Sequence, residues 1–256
     1  MAEVLDEGEL EQKIRRVYRD VAEIPEEEFH FEMGRGLTER LGYPASDLDR
    51  IPEAAVDSFA GVGYHTDLAA LGDGDDVLDL GSGSGMDVFV AALHIGEDGS
   101  VTGLDMTDEQ LRKSRELRDE AGTTNVAFEH GRIEEPPFDD ERFDVVISNG
   151  VINLSPDKEQ VFAEASRVLR PGGRLAISDI ITEERMPDRI KSNADLWASC
   201  IGGAEQIDDY TTMVEDAGFE VTETRENDQY AFISEQAQNA CRNYGVRSVS
   251  LAARKR

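Results

Sequence analysis

Lysine, cysteine and tryptophan are scarce in this chain of 256 residues. Lysine occurs only at Lys13, Lys113, Lys158, Lys191 and Lys255; Lys and Arg together number 26 against 55 Asp and Glu, and the formal net charge is −29. A surface so short of cations repels phosphate backbones and anionic lipid, because binding either one depends on basic side chains that neutralise the polyanion. Roles on nucleic acid or on a membrane surface are therefore disfavoured. The two cysteines, Cys200 and Cys241, are too few for a disulfide-stapled secreted domain. Neither C-x-x-C nor a closely spaced histidine pair occurs, and His30, His65, His94 and His130 are scattered, which argues against a zinc site. No stretch approaches the ~18 consecutive apolar residues of a membrane span. The acidic opening MAEVLDEGELEQ lacks the apolar centre of a secretion signal. The expected compartment is the cytoplasm.

What is present is enough for a folded core. Hydrophobic residues make up 39% of the chain, and the acids are spread along it instead of forming a tail, so disorder does not explain the charge. Excess carboxylate with little lysine suits a protein kept soluble in concentrated salt, where ionic strength screens self-repulsion. A halophilic source is expected. The length fits one α/β core with appendages.

Leu10, Ile14, Val17, Tyr18 and Val21 recur at helical spacing and predict an amphipathic helix over residues 6–22. Residues 23–75 read as a mostly helical cap. From Asp76 onward VLDL, DVFVAALHI, VTGLD, VAFEH, FDVVIS and RLAISDI alternate strand with helix, which predicts βαβ units and a doubly wound, mainly parallel sheet. Thr107 with Gln110 reads as a capping box, and Ser155 before Pro156 as a second helix start. Further helices are expected near 188–199 and 207–217, and strands near 219–224, 230–234 and 246–252. The division expected is an N-terminal cap over 1–70, a core over 71–185, and a lid with terminal strands over 186–256.

Asp79-Leu80-Gly81-Ser82-Gly83-Ser84-Gly85 follows an apolar strand and opens a helix. Glycines there permit positive φ and close approach of a ligand, and the N–H groups of the helix start point toward it. The spacing is G-x-G-x-G, with Met86 where a dinucleotide fingerprint needs its third glycine, so a nicotinamide or flavin dinucleotide is the poorer match. Asp105 ends the next strand, where a carboxylate can accept from both ribose hydroxyls; a solvated turn acid is the plainer alternative.

VLDLGSGSGMD, GLDM, FDVVISNGVINL and EASRVLRPGGRLAISD together resemble the class I S-adenosylmethionine-dependent methyltransferases. The resemblance implies a Rossmann-like α/β fold with a mainly parallel seven-stranded sheet and an antiparallel last strand. It also implies S-adenosyl-L-methionine as cofactor. Asp79 and Gly81, Ser82, Gly83 and Gly85 would hold its methionine moiety, Asp105 with Met106 its ribose, and Ile133 and Glu134 its adenine. Asn149, at the mouth of the fourth strand, would face the transferable methyl group.

SNGVINLSPDK, DLWASCIGGA and CRNYGVRSVSL resemble the arsenite methyltransferase family. That resemblance implies that Cys200 and Cys241 bind trivalent arsenic as substrate, for detoxification, and that a thiol reductant (thioredoxin or a low-molecular-weight thiol) restores the reduced state. Soft thiolates suit a soft arsenic centre. Two buried, inert cysteines are the alternative. Relatives carry further cysteines at the positions of Val62 and Gly150, so inorganic arsenite would need a third ligand from a small thiol, or a methylated arsenical would be preferred. A C- or O-methyltransferase acting on a small metabolite, and an arsenic-binding protein without catalysis, are the competing functions.

Overall fold

The computed structural model describes residues 7–27, 29–187, 190, 197 and 201–256. Cys200 and most of the helix expected near 188–199 lie outside the described residues.

The strands β1 (Asp76–Leu80), β2 (Ser100–Asp105), β3 (Val126–His130), β4 (Phe143–Asn149), β5 (Leu169–Thr182), β7 (Phe219–Glu226) and β8 (Arg247–Lys255) form a sheet in the order β3-β2-β1-β4-β5-β8-β7. A two-residue strand, β6 (Glu205–Gln206), pairs with β5 at Ile181 and Thr182, beyond the last β4 partner at Ser178. β8 runs antiparallel to both neighbours, and β1 to β5 pair in parallel. The expected α/β class and antiparallel last strand are thus present, with β6 added to the seven.

Alternate residues of the central strands enter two different cores, as a two-residue side-chain period requires. Val77, Val145 and Ile147 pack beneath α2 (Gly34–Leu41), α3 (Ala45–Leu48), α4 (Glu53–Asp57) and α5 (Met86–Ala92). Leu78, Leu80 and Val146 pack beneath α7 (Lys158–Val168) and α8 (Ile207–Asp216) through Val161, Phe162, Tyr210 and Val214. Burial on both faces is why these strands read as continuous apolar runs. A third cluster gathers Leu10 and Ile14 of α1 (Glu7–Glu23), Ala237 and Ala240 of α9 (Glu235–Tyr244), Val62, Leu154, Trp197 and Ile201. Among the described residues no helix is long and apolar enough to cross a membrane.

Three local expectations are corrected. The Thr107 side chain makes no cap bond to α6 (Asp108–Ala121); its hydroxyl serves Asp105, and the Gln110 amide is taken by Ser84 and by the Tyr18 carbonyl. The second cap is Asp157, whose carboxylate accepts from Gln160 N at 3.1 Å, while Ser155 donates to Glu134 at 2.6 Å. Residues 230–234 form no strand: both edges of β8 are filled by β5 and β7, and Tyr230 and Phe232 pack edge to face at 5.0 Å against the third cluster.

Asp179 is buried in β5, accepting from Tyr210 Oη and Ile180 N, each at 2.8 Å. Burial pushes its carboxyl up from 3.8 to about 6, against the opposing pull of Tyr210, Ile180 N–H and Lys158. The folded protein therefore holds this proton more tightly than the unfolded chain. The stability it contributes is fully present below about pH 4 and lost as pH rises to about 6, a swing of about 3 kcal/mol. In urea titrations across that window Asp179→Asn is expected to show a flatter pH dependence than the parent. Parallel curves would remove Asp179 as its source.

Candidate active site

The strand order reverses at β1, which has β2 on one side and β4 on the other, and a cleft opens at the carboxyl ends of these strands. It encloses about 1160 Å³, part of it open to solvent.

The glycine-rich turn forms one wall. Gly81, Gly83 and Gly85 have φ of +76°, +53° and +92°, so the G-x-G-x-G spacing reflects three left-handed positions, each favouring glycine. Two are also sterically closed: a Cβ at Gly81 would lie 2.5 Å from Val151, and one at Gly85 2.7 Å from Phe128. Gly85 is the residue from which α5 starts, which explains why the third glycine precedes Met86. At Gly83 a Cβ would meet nothing nearer than Gln110 at 3.7 Å. The buried Ser82 hydroxyl has no hydrogen-bond partner within the protein.

Asp105 ties this turn to β2. Oδ2 accepts from Gly83 N at 2.9 Å and Oδ1 from Thr107 N at 2.8 Å. Burial nevertheless raises its carboxyl above the ordinary range. Asp79 is buried at the end of β1, and burial, with Asp87 and Asp105 nearby, pushes it well above that range. The floor of the cleft thus combines closely set carboxyl groups with a turn of N–H donors.

Asn149 ends β4 and lines the cleft. Its Oδ1 accepts from Val62 N at 2.8 Å and Gly63 N at 3.3 Å, while Nδ2 donates to Gly63 O at 2.9 Å and Asp87 Oδ2 at 3.1 Å. The amide is engaged in mounting the 61–63 loop. Val62 on that loop is buried, and a Cβ at Gly150 would lie 3.1 Å from its Cγ1, so positions 62 and 150 are neighbours. Tyr43 Oη donates to Asp87 and braces the same corner. His65 is fully buried behind the loop, 3.4 Å from Ser178 Oγ, and burial lowers its basicity; Tyr64 packs against Tyr43 with the two rings tilted at 59°.

α1 roofs the cleft with Leu10, Ile14, Tyr18 and Val21. It is fastened by Gln110 to Tyr18 O at 2.8 Å, Lys113 to Ala22 O at 3.0 Å, Arg15 to Met106 O, and Arg132 to Glu11. Met106, Ile133 and Glu134 line the cleft, with the Glu134 carboxylate held by Ser155.

Cys241 lies on α9, half-buried against the third cluster, and burial raises its thiol above the ordinary range. Trp197 and Ile201, on either side of Cys200 in the chain, are buried in that same cluster. Leu10, Ile14 and Leu154 belong both to the cluster and to the cleft wall, so the Cys241 environment abuts the cleft. Asp87, Gln110 and Tyr43 are site residues that sequence reasoning passed over. Only Asp87, in the first turn after the glycines, offered a local signal.

Residues 71–218 match the family described as a methyltransferase domain. The chain is 44% identical to an arsenite methyltransferase of Halobacterium salinarum over 199 residues, covering 77% of this chain and 51% of that protein. It is 43% identical to the human arsenite methyltransferase over 152 residues, 56% of this chain and 40% of that one. The chain spans about half the length of these curated relatives. A solved arsenic(III) S-adenosylmethionine methyltransferase from Chlamydomonas reinhardtii superposes with a TM-score of 0.66 at 33% identity, over 87% of this chain and 74% of that one. A geranyl diphosphate methyltransferase solved with sinefungin has a TM-score of 0.69 at 18% identity over 96% and 98%, a likeness of fold.

Proposed function

Since the chain belongs to the methyltransferase domain family, and within it to the arsenite methyltransferases, we propose that it transfers methyl groups from S-adenosyl-L-methionine to trivalent arsenic held by Cys200 and Cys241. The observation that carries the acceptor is the shared cluster: Cys241 and the flanks of Cys200 pack together against the roof and rim of the cleft.

The residues present fit the cofactor. A partnerless buried hydroxyl at Ser82, an open face at Gly83 and the Asp105 carboxylate converge on one side of the cleft. Asp79, Gly81, Ser82, Gly83 and Gly85 would take the methionine moiety, Asp105 and Met106 the ribose, and Ile133 and Glu134 the adenine. When bound, the cofactor supplies an electrophilic methyl group on a cationic sulfonium. The carboxyl oxygens of Asp79 and Asp87 line the floor of the cleft as acceptors beside that group. Asn149 is a positioning residue here, holding the 61–63 loop. The apolar face of α1 excludes water.

The thiols need not be ionised beforehand. Each arsenic–sulfur bond forms as the thiol proton leaves with an arsenic hydroxyl as water, so a raised Cys241 thiol is compatible with loading. The arsenic lone pair would form the bond to the methyl carbon as the bond from that carbon to the sulfonium sulfur breaks, the sulfur keeping the electron pair and leaving as a neutral thioether; no general base is called for, because no proton leaves the attacking atom. Arsenic passes from trivalent to pentavalent, and a thiol reductant, thioredoxin or a small thiol, returns the two electrons. With Val62 and Gly150 in place of further cysteines, a small thiol completes the coordination of inorganic arsenite, or methylarsonous acid is the better acceptor. Residues 1–70 act as the cap, 71–185 as the cofactor core and 186–256 as the acceptor lid with the terminal sheet strands.

Incubation with cofactor, thiol and either arsenite or methylarsonous acid in high salt is expected to yield methylated arsenicals, resolved by chromatography with elemental detection. Absence of product from both acceptors would sink the proposal.

A further inference from the structure

Lys158 begins α7 and is only 4% exposed, unusual for a lysine. Its Nζ donates to Ser155 O at 2.8 Å and lies 4.6 Å from the ring centroid of Trp197. Trp197, itself buried, is the one tryptophan of the chain. The indole meets the backbone of Gly202 and Gly203 so closely that a Cβ would lie 2.3 Å from Cδ1 at the first and 2.8 Å from Cε3 and Cζ3 at the second. The Cβ at Gly203 would also stand 1.8 Å from Asn153 O, on the 3-10 turn Ile152–Leu154 that follows β4. A buried ammonium is costly unless compensated. Here the Ser155 carbonyl, the indole face and the negative field of Asp179 supply the compensation.

We propose that Lys158 is a positioning residue, clamping Trp197 and thereby holding it, with Gly202 and Gly203, against the 3-10 turn that follows β4, at the two flanks of Cys200 in the chain. The inference rests on the arsenic-binding reading for its consequence but not for the clamp. Neither Lys158 nor Trp197 lines the cleft, and Lys158 bonds the Ser155 carbonyl while the Ser155 hydroxyl holds Glu134 independently, so the clamp acts chiefly on the acceptor side. The glycine pair belongs to the same device, since only residues without Cβ let the indole and the 3-10 turn close on one another.

The test uses Lys158→Met in the full chain, with Trp197 emission as a reporter that needs no ligand. Expected are a shift of emission to longer wavelength as water reaches the indole, an affinity for arsenite or methylarsonous acid lower by at least about tenfold, and a cofactor Kd within about twofold of the parent by calorimetry. Unchanged emission overturns the clamp, as do unchanged acceptor affinity and an equal loss for both ligands. Should Lys158→Met fail to fold, Trp197→Phe keeps a weaker cation-binding face and is expected to lose acceptor affinity by about threefold with cofactor binding intact. No loss in that variant overturns the clamp as well. A parent protein that binds no trivalent arsenic defeats the functional reading instead, and the emission of the Lys158→Met variant then decides the clamp by itself.

Discussion

Cys241→Ser is expected to lower kcat/KM for arsenic methylation by at least about three orders of magnitude while leaving cofactor affinity within about twofold. A hydroxyl has nearly the shape of a thiol but is a hard donor, and trivalent arsenic prefers soft sulfur. The loss is large because the protein's contribution is placement: holding the attacking atom in line near the methyl carbon is worth several orders of magnitude in effective concentration. Without the second thiolate, arsenic swings about one sulfur. The fold should survive, since Cys241 is half-buried on the rim of its cluster and the buried face of α9 rests on Ala237 and Ala240. Product formation, arsenic stoichiometry and cofactor calorimetry on the same sample separate the outcomes. Turnover retained in the variant would strip Cys241 of its ligand role, and Cys200→Ser should match it in size.

The sheet was legible because its signals are local. VLDL, VTGLD and FDVVIS carry their burial on both faces in their own composition, and the glycines after β1 announce a turn whose backbone angles leave little choice of residue. Asp105 was legible for the same reason, being the acid at the end of the neighbouring strand. What escaped depends on partners distant in the chain. Tyr230 to Ser234 alternates like a strand, yet both edges of β8 are taken by β5 and β7, and Tyr230 and Phe232 pack against the third cluster instead. The helix that follows escaped, although Ser234 as N-cap, the apolar spacing of Ala237, Ala240 and Cys241, and Gly245 with φ of +63° after its last turn were present as signals.

Asn149 shows the same division at the site. Its place at the mouth of β4 follows from the sequence, whereas the occupation of its amide by the 61–63 loop, some ninety positions away, could not. The capping box failed because Gln110 finds a stronger tertiary use, bonded to Ser84 at 2.6 Å and to Tyr18 O beneath the roof helix. Local capping contributes about 1 kcal/mol and yields where a buried amide would otherwise lose its partners.

Asp105→Ala is expected to weaken cofactor binding by at least about a hundredfold, the equivalent of about 2.7 kcal/mol. The carboxylate accepts two backbone N–H groups before any ligand arrives, and deleting it strands the donors of Gly83 and Thr107 at about 1–3 kcal/mol each. The glycine turn thus loses its tether to β2 as the ribose hydroxyls lose their acceptor. Asp105→Asn should be nearly as damaging: one carboxylate oxygen becomes an NH₂ that must face either Gly83 N–H or Thr107 N–H, donor against donor. The pH dependence distinguishes this tether from simple bulk. Burial holds the Asp105 carboxyl above its ordinary range, so in the parent protein cofactor affinity should fall as pH drops through that raised value, protonation removing an acceptor. In the Asn variant that slope should flatten, leaving the part contributed by Asp79 on the same floor. Calorimetric titration from pH 4 to 7, with a cofactor analogue bearing no reactive methyl, reads both quantities; an Asp105→Asn protein that binds like the parent would leave the turn to be held by Gly81 and Ser82 bonding to Leu104 O alone.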